Sequence, residues 1–157
     1  TAVIAGPKGE RRVPVEQINT GPGKTILAPG EFIVEFEIPA PPAHSADAYQ
    51  RLIPRSEMDI AVVGVGVALT LDAAGVVKSA RVVLGAVAPT AILVADAAAA
   101  LIGTKCDEAA LERAGQAALA AAKPIDDRRG TIGYRKKIAA VLTRRVAKLA
   151  FDRAKTR

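Results

Sequence analysis

Between Val63 and Leu71 the residues alternate with a period of two, and no other stretch constrains this chain as much. Val63, Val65, Val67, Leu69 and Leu71 are bulky, whereas Gly64, Gly66, Ala68 and Thr70 are small or polar. Successive side chains of a strand point to opposite faces. The pattern therefore predicts a strand with one face in a core and the other open to close approach. Just before it stand Arg51, Arg55 and the pair Met58-Asp59, at the entrance of a buried strand. Unspent charge in such a place fits either a ligand contact or a structural ion pair.

The segments that follow extend the sheet and then leave it. Asp72-Ala73-Ala74-Gly75 reads as a hairpin connection, with Gly75 supplying a positive φ, and Val76 to Leu84 as the returning strand. Gly85 to Thr90 closes the sheet part, after which the period changes to that of helices. Ile92 to Leu101 predicts a short helix ended by Gly103. Asp107 is placed to cap a second helix, whose stripe Leu111, Ala114, Ala118, Leu119 and Ala122 faces the core, with Lys123-Pro124 as its stop. Asp126-Asp127-Arg128-Arg129 is a charged connection. Two adjacent aspartates point apart, so it reads as local ion pairs and caps rather than an acid/base dyad. Tyr134 to Ala154 is the third helix, with Ile138, Val141, Leu142, Val146 and Leu149 on its apolar side.

Upstream, Ala2 to Ala5 reads as a strand, Pro7 to Glu10 as a reversing turn, Arg11 to Val15 as a second strand and Val15 to Thr20 as a brief helical turn. Gly21-Pro22-Gly23-Lys24-Thr25 resembles a phosphate loop only superficially. Such a loop requires a glycine five places before Gly23, where Ile18 stands, and a helix after the Lys-Thr, which Ala28-Pro29-Gly30 forbids. It reads as a plain Gly/Pro loop. Glu31 to Ile38 alternates cleanly, with Phe32, Val34, Phe36 and Ile38 on one face and Glu31, Ile33, Glu35 and Glu37 on the other. Ile33 is the apolar exception on the acidic face, incidental or a contact for a planar ligand. Pro39, Pro41 and Pro42 forbid regular structure, and the run to Asp47 marks a boundary between two structural units. His44 lies in this linker without a partner that would make it catalytic or metal-ligating.

Composition narrows the function classes. The 157 residues are 50% hydrophobic, yet the aromatics are only Phe32, Phe36, Phe151, Tyr49 and Tyr134, so the core must be aliphatic. The single cysteine, Cys106, cannot form an internal disulfide. No cluster offers a zinc or iron-sulfur site, and a reducing cytoplasm is the expected location. No apolar run approaches the roughly 18 residues that span a bilayer, and no signal peptide precedes the first strand. The chain begins at Thr1 inside a predicted strand, from which an N-terminal portion is expected to be missing. Of the 22 Lys and Arg, eleven lie from Arg128 to Arg157 against the single acid Asp152. A segment this basic could meet nucleic acid or an acidic partner, or its charge could simply suit the helix terminus, where Lys148, Arg153 and Lys155 meet the negative end of the helix dipole. Stacking aromatics and recognition motifs are absent, so nucleic acid is not expected. Nothing in the chain offers a nucleophile, a metal set or an acid/base pair, so no catalytic residue is assigned.

Four blocks carry a resemblance: TGPGKTILAPGEFIVEFEIP at 20–39, AYQRLIPRSEMDIA at 48–61, LGAVAPTA at 84–91 and PIDDRRGTIGYRKKIAAVLTRR at 124–145. In this order the chain resembles the C-terminal part of the FAD-binding medium subunit of molybdenum hydroxylases, the group with aerobic carbon monoxide dehydrogenase and the flavin region of xanthine dehydrogenase. The resemblance implies an α+β fold: residues 1–40 as the incomplete tail of an FAD-binding α+β domain, and 45–157 as a three-stranded antiparallel sheet with a three-helix bundle. It implies an oxidoreductase component that passes electrons from iron-sulfur clusters through FAD to an acceptor. The implied partners are a molybdenum-binding large subunit with the molybdenum cofactor, a small subunit with 2Fe-2S clusters, and the N-terminal part of its own subunit. Residue by residue, Ile33 matches an aliphatic position that packs near the flavin ring, and Arg51 a position by the flavin that is Lys in relatives. A cation there suits the negative charge that reduced flavin gains around N1 and the C2 carbonyl. Asp59 and Ile60 match the MDIA word; Ile60 falls where some relatives place an aromatic over the ring, and Asp59 could equally pair with Arg55. The Gly-rich loops that hold the FAD pyrophosphate lie in the family's N-terminal domain and have no counterpart here. This chain alone is therefore expected to bind FAD poorly and to be inactive. The alternative is a non-catalytic interaction domain that docks on an acidic partner through its basic C-terminal helix.

Overall fold

Burial of the odd residues of Val63–Leu71 explains why this stretch is a strand: Val63, Val65, Val67, Leu69 and Leu71 are all removed from water. Each such side chain contributes roughly 1.5–3 kcal/mol of hydrophobic stabilisation. The structure is a computed structural model that describes residues 1–56 and 58–157 and divides into two units, Thr1–Ala40 and Pro41–Arg157.

In the first unit, β1 (Ala2–Gly6) is flanked on either side by antiparallel β2 (Gly9–Val13) and β5 (Phe32–Phe36). A 3-10 turn at Val15–Gln17 precedes a small ribbon of β3 (Asn19–Gly21) and β4 (Lys24–Thr25). The GPGKT segment is thus the tip of a hairpin, with Gly23 at φ +66°, and no helix follows it to receive a phosphate. The even apolar residues of β5, and Ile38 just after it, are exposed. Phe32, Val34, Phe36 and Ile38 are 60, 46, 55 and 87% exposed. A bulge interrupts the pairing, since Ile4 faces Ile33 while Val3 faces Glu35, so Val34 is an extra residue and the strict alternation breaks there.

In the second unit β6 (Ser45–Leu52), β7 (Val63–Leu71) and β8 (Val77–Gly85) form the expected antiparallel meander. The Asp72 carboxylate accepts the N–H groups of Ala74 and Val76 at 2.9 Å each, and Gly75 adopts φ +73°, which makes the β7–β8 turn. Ile92–Leu93 adds a short fourth strand, β9, against β8, where a helix start was expected. The β-branched Ile92 and Val94 favour the sheet edge, and the Val94 N–H donates to the Val82 carbonyl at 2.9 Å. Helix α1 therefore starts at Ala95 and runs to Leu101.

Helix α2 (Glu108–Ala121) is capped by Asp107, which accepts the Ala110 N–H at 2.9 Å. Helix α3 (Ile132–Ala154) begins two residues earlier than its apolar period implies, because Thr131 caps it and Gly133 in its first turn conceals the start. Helix α3 packs on β6 and β7, α1 on β8, and α2 touches both helices. Small residues set the spacing: a Cβ on Gly115 of α2 would lie 3.1 Å from the Ala140 carbonyl oxygen of α3. On α3 the fully buried line is Ala139, Thr143, Val146, Ala147, Ala150 and Ala154. Ile138, Val141 and Leu149 flank it half-buried, as does Leu119 on α2. The second unit thus has the expected α+β sheet and three-helix bundle around an aliphatic core.

Candidate functional site

The helices cover one face of the second unit's sheet, and the glycines of β7 lie on the other. A Cβ on Gly64 would come within 2.7 Å of the Tyr49 hydroxyl oxygen, so the predicted close approach is made by the Tyr49 ring lying across β7. Arg51 lies two residues further along β6 on the same face, opposite Gly64 in the pairing register. It is exposed, and its side chain has no hydrogen bond or ion pair among the described residues.

Beyond Arg51, β6 and β7 are joined by a loop closed at its base by a hydrogen bond from the Val62 N–H to the Leu52 carbonyl, 2.8 Å. Its apolar side chains face water: Met58 is 92% and Ile60 64% exposed, and Met58 adopts a left-handed φ of +49°. Asp59, between them, does the opposite. Its side chain is only 7% exposed; Oδ1 accepts the Ile60 N–H at 2.8 Å and faces Arg129 Nε at 3.4 Å, and Oδ2 faces Arg55 Nε at 3.4 Å. The Ile60 N–H chiefly, with Arg129 and Arg55 adding to it, holds this carboxyl below its ordinary pKa despite some desolvation.

The base of the loop is fixed by Arg135, a residue that the helical pattern of α3 conceals. Its side chain is 5% exposed. Nη1 donates to the carbonyls of Val62 at 3.0 Å and Ala86 at 3.2 Å, Nε to that of Gly130 at 3.4 Å, and Nη2 to the Asp127 carboxylate. Asp127 is held below the usual carboxylate range first by Arg135 and then by the Arg129 N–H. Asp126 accepts the Ile132 N–H, so the two aspartates serve a cap and an ion pair, as their adjacency implied. The signal for Arg135 was the charged connection before α3, whose acids needed a cation. Nothing local marked which one.

Ile33, the remaining residue singled out from sequence, is half-buried on β5 of the first unit. In the second unit Arg51, Asp59 and Ile60 share one hairpin, with Asp59 turned inward. Cys106 is buried, which pushes its thiol up to about 11 and removes it from thiolate chemistry. Among the described residues no group of three His, Cys, Asp or Glu is placed to hold a metal, and no helix is long and apolar enough to cross a membrane.

A sheet backed by three helices, with a cation and an apolar loop at one end, defines an α+β domain. Residues 48–150 match the family described as CO dehydrogenase flavoprotein C-terminal domain. The carbon monoxide dehydrogenase medium chain of Afipia carboxidovorans is 36% identical over 152 residues, 97% of this chain and 52% of that protein. A putative xanthine dehydrogenase FAD-binding subunit of Escherichia coli is 37% identical over 90 residues, 57% of this chain and 30% of that protein. Among solved structures, carbon monoxide dehydrogenase from Hydrogenophaga pseudoflava, in a form lacking the Mo-pyranopterin moiety of its molybdenum cofactor, superposes with a TM-score of 0.91. It is 34% identical, covering 97% of this chain and 52% of that one. This chain belongs to the FAD-binding medium-subunit family of molybdenum hydroxylases. It spans about half the length of the carbon monoxide dehydrogenase chains it matches.

Proposed function

We propose that this chain serves in the FAD-binding subunit of a molybdenum hydroxylase, where electrons pass from iron-sulfur clusters in a partner subunit through FAD to an acceptor. In this reading residues 1–40 end the flavin-binding domain and 45–157 are the C-terminal domain, beside a molybdenum-binding large subunit and an iron-sulfur small subunit. The observation that carries the reading is the match to a carbon monoxide dehydrogenase medium chain along 97% of this chain. Bound FAD would supply the electron-transfer chemistry; this chain's own residues would set its surroundings.

Arg51 suits that task because its guanidinium is an exposed, delocalised cation. Next to the N1 and C2 carbonyl edge it would favour the reduced, more negative ring. Ile60 would shield the ring from water with an apolar side chain. Ile33 keeps, within the first unit, the flavin-side role that the family resemblance implies. Docking through a basic C-terminal helix has less support. Arg144 bonds Glu112, Lys148 and Lys155 face Asp152, and Arg153 donates to the Asp47 carbonyl, so much of the charge of α3 is engaged within the chain.

The test is the flavin midpoint potential in the full-length subunit. Arg51→Met should lower it by on the order of 20 mV, the equivalent of ~1 kcal/mol for a two-electron couple, and Arg51→Lys should restore most of it. An unchanged potential with unchanged FAD affinity would overturn the assignment.

A further inference from the structure

We infer that Asp59 and Arg129 form a positioning pair that fixes the loop displaying Ile60, so that flavin contact by this loop depends on a residue of the segment before α3. The inference rests on the flavin reading above. Three observations carry it. Met58 and Ile60 expose apolar surface at a loop tip, and Met58 does so in a left-handed conformation that a non-glycine side chain adopts at a cost. Asp59, between them, is turned in, and its two carboxylate oxygens meet three donors, of which Arg129 lies 70 residues away in sequence. The same remote segment is tied to the loop base, because Arg135 joins Asp127 and the Gly130 carbonyl to the Val62 carbonyl.

A surface loop that hides the Asp59 carboxylate while it displays the apolar residues on either side is held for the benefit of those neighbours. Without Arg129 the Asp59 carboxylate keeps only donors from its own loop, Arg55 and the Ile60 N–H, and the direction of the Ile60 side chain is no longer referred to the helices. Asp59 and Arg129 therefore act through Ile60 and touch no reacting atom.

The experiment uses the full-length FAD-loaded subunit with Asp59→Ala, Arg129→Gln, Arg129→Lys and the controls Arg51→Met and Ile60→Gly; Arg135 is spared because its removal endangers folding. Two readouts are taken: amide hydrogen exchange of the peptide containing residues 58–62, and FAD affinity by flavin fluorescence titration. Asp59→Ala and Arg129→Gln should speed exchange of that peptide about tenfold and weaken FAD several-fold, with Arg129→Lys intermediate and Arg51→Met leaving exchange unchanged. Unchanged exchange in both pair variants overturns the inference whatever the flavin does. Faster exchange with unaltered FAD affinity, while Ile60→Gly weakens FAD, overturns the positioning role and leaves the flavin reading intact. If Arg51→Met and Ile60→Gly also leave FAD unaffected, the flavin reading fails and the inference falls with it.

Discussion

Residues 1–40 and 41–157 solve the burial problem in different ways. The second unit contains the whole aliphatic core cluster, from Ala46 to Ala154, and its sheet has one face sealed by helices. In the first unit the buried hydrophobic residues are Ala2, Val3, Ile4 and Ile18, while Phe32, Val34, Phe36 and Ile38 are exposed. With so few buried apolar side chains, the first unit has little hydrophobic free energy to set against its conformational entropy. The difference teaches that the second unit is specified by its apolar core, whereas the first depends more on backbone pairing, with the Arg11–Glu31 and Arg12–Glu37 ion pairs adding little.

Excision tests this contrast most severely. A fragment of residues 41–157 should melt cooperatively in circular dichroism, and a peptide of residues 1–40 should show no cooperative transition, being below the size at which a core alone sustains a fold. A non-cooperative melt of the larger fragment would erase the distinction.

Point substitutions sharpen it. Leu84→Ala, at a fully buried site on β8, should destabilise the second unit by ~3 kcal/mol in urea denaturation, the cost of lost burial plus a cavity. Phe36→Ala in the first unit, made in the same chain, should stay within ~0.5 kcal/mol, as exposed positions do.

The same contrast governs what was readable in the sequence. The β7–β8 hairpin was legible because Val63 to Leu71 alternates and Asp72 to Gly75 is a turn of known chemistry, whereas β6 was expected only through the family resemblance; the cap at Asp107 and the proline-marked boundary were local signals too. Arg51 and Asp59 could be picked out because they stand where a buried strand begins; Ile60 was marked only by the family resemblance of the MDIA word. Arg135 could not. A cation within an amphipathic helix reads as solvent-facing, and three of its acceptors are backbone carbonyls, at Gly130, Ala86 and Val62, two of them distant in sequence and none bearing a signature. The exposure of Phe32 and Phe36 was equally hidden, since alternation reports which residues share a face and says nothing of what covers that face; the bulge at Val34 was invisible for want of a partner strand.

The smallest expected effect concerns the Arg11–Glu31 ion pair of the first unit. Glu31 accepts two hydrogen bonds from Arg11, at 3.0 and 2.8 Å, and one from the Ala28 N–H at 2.8 Å. These lower its pKa from 4.5 to about 2, the Arg11 hydrogen bond being the largest cause. Because the folded value is depressed, the stabilisation is fully present above the unfolded value of about 4.5 and is lost as pH falls through about 2. A carboxylate titration followed by NMR should therefore place Glu31 near 2 in the intact chain and return it towards 4.5 in Arg11→Met, with a small residual depression from the Ala28 N–H. Arg11 is 40% exposed, so the pair's contribution to stability is screened by solvent, and the Arg11→Met melt should move little at neutral pH. A Glu31 that titrates near 4.5 in both proteins would mean that the ion pair does not hold the first unit together, and that backbone pairing to β1 does so unaided.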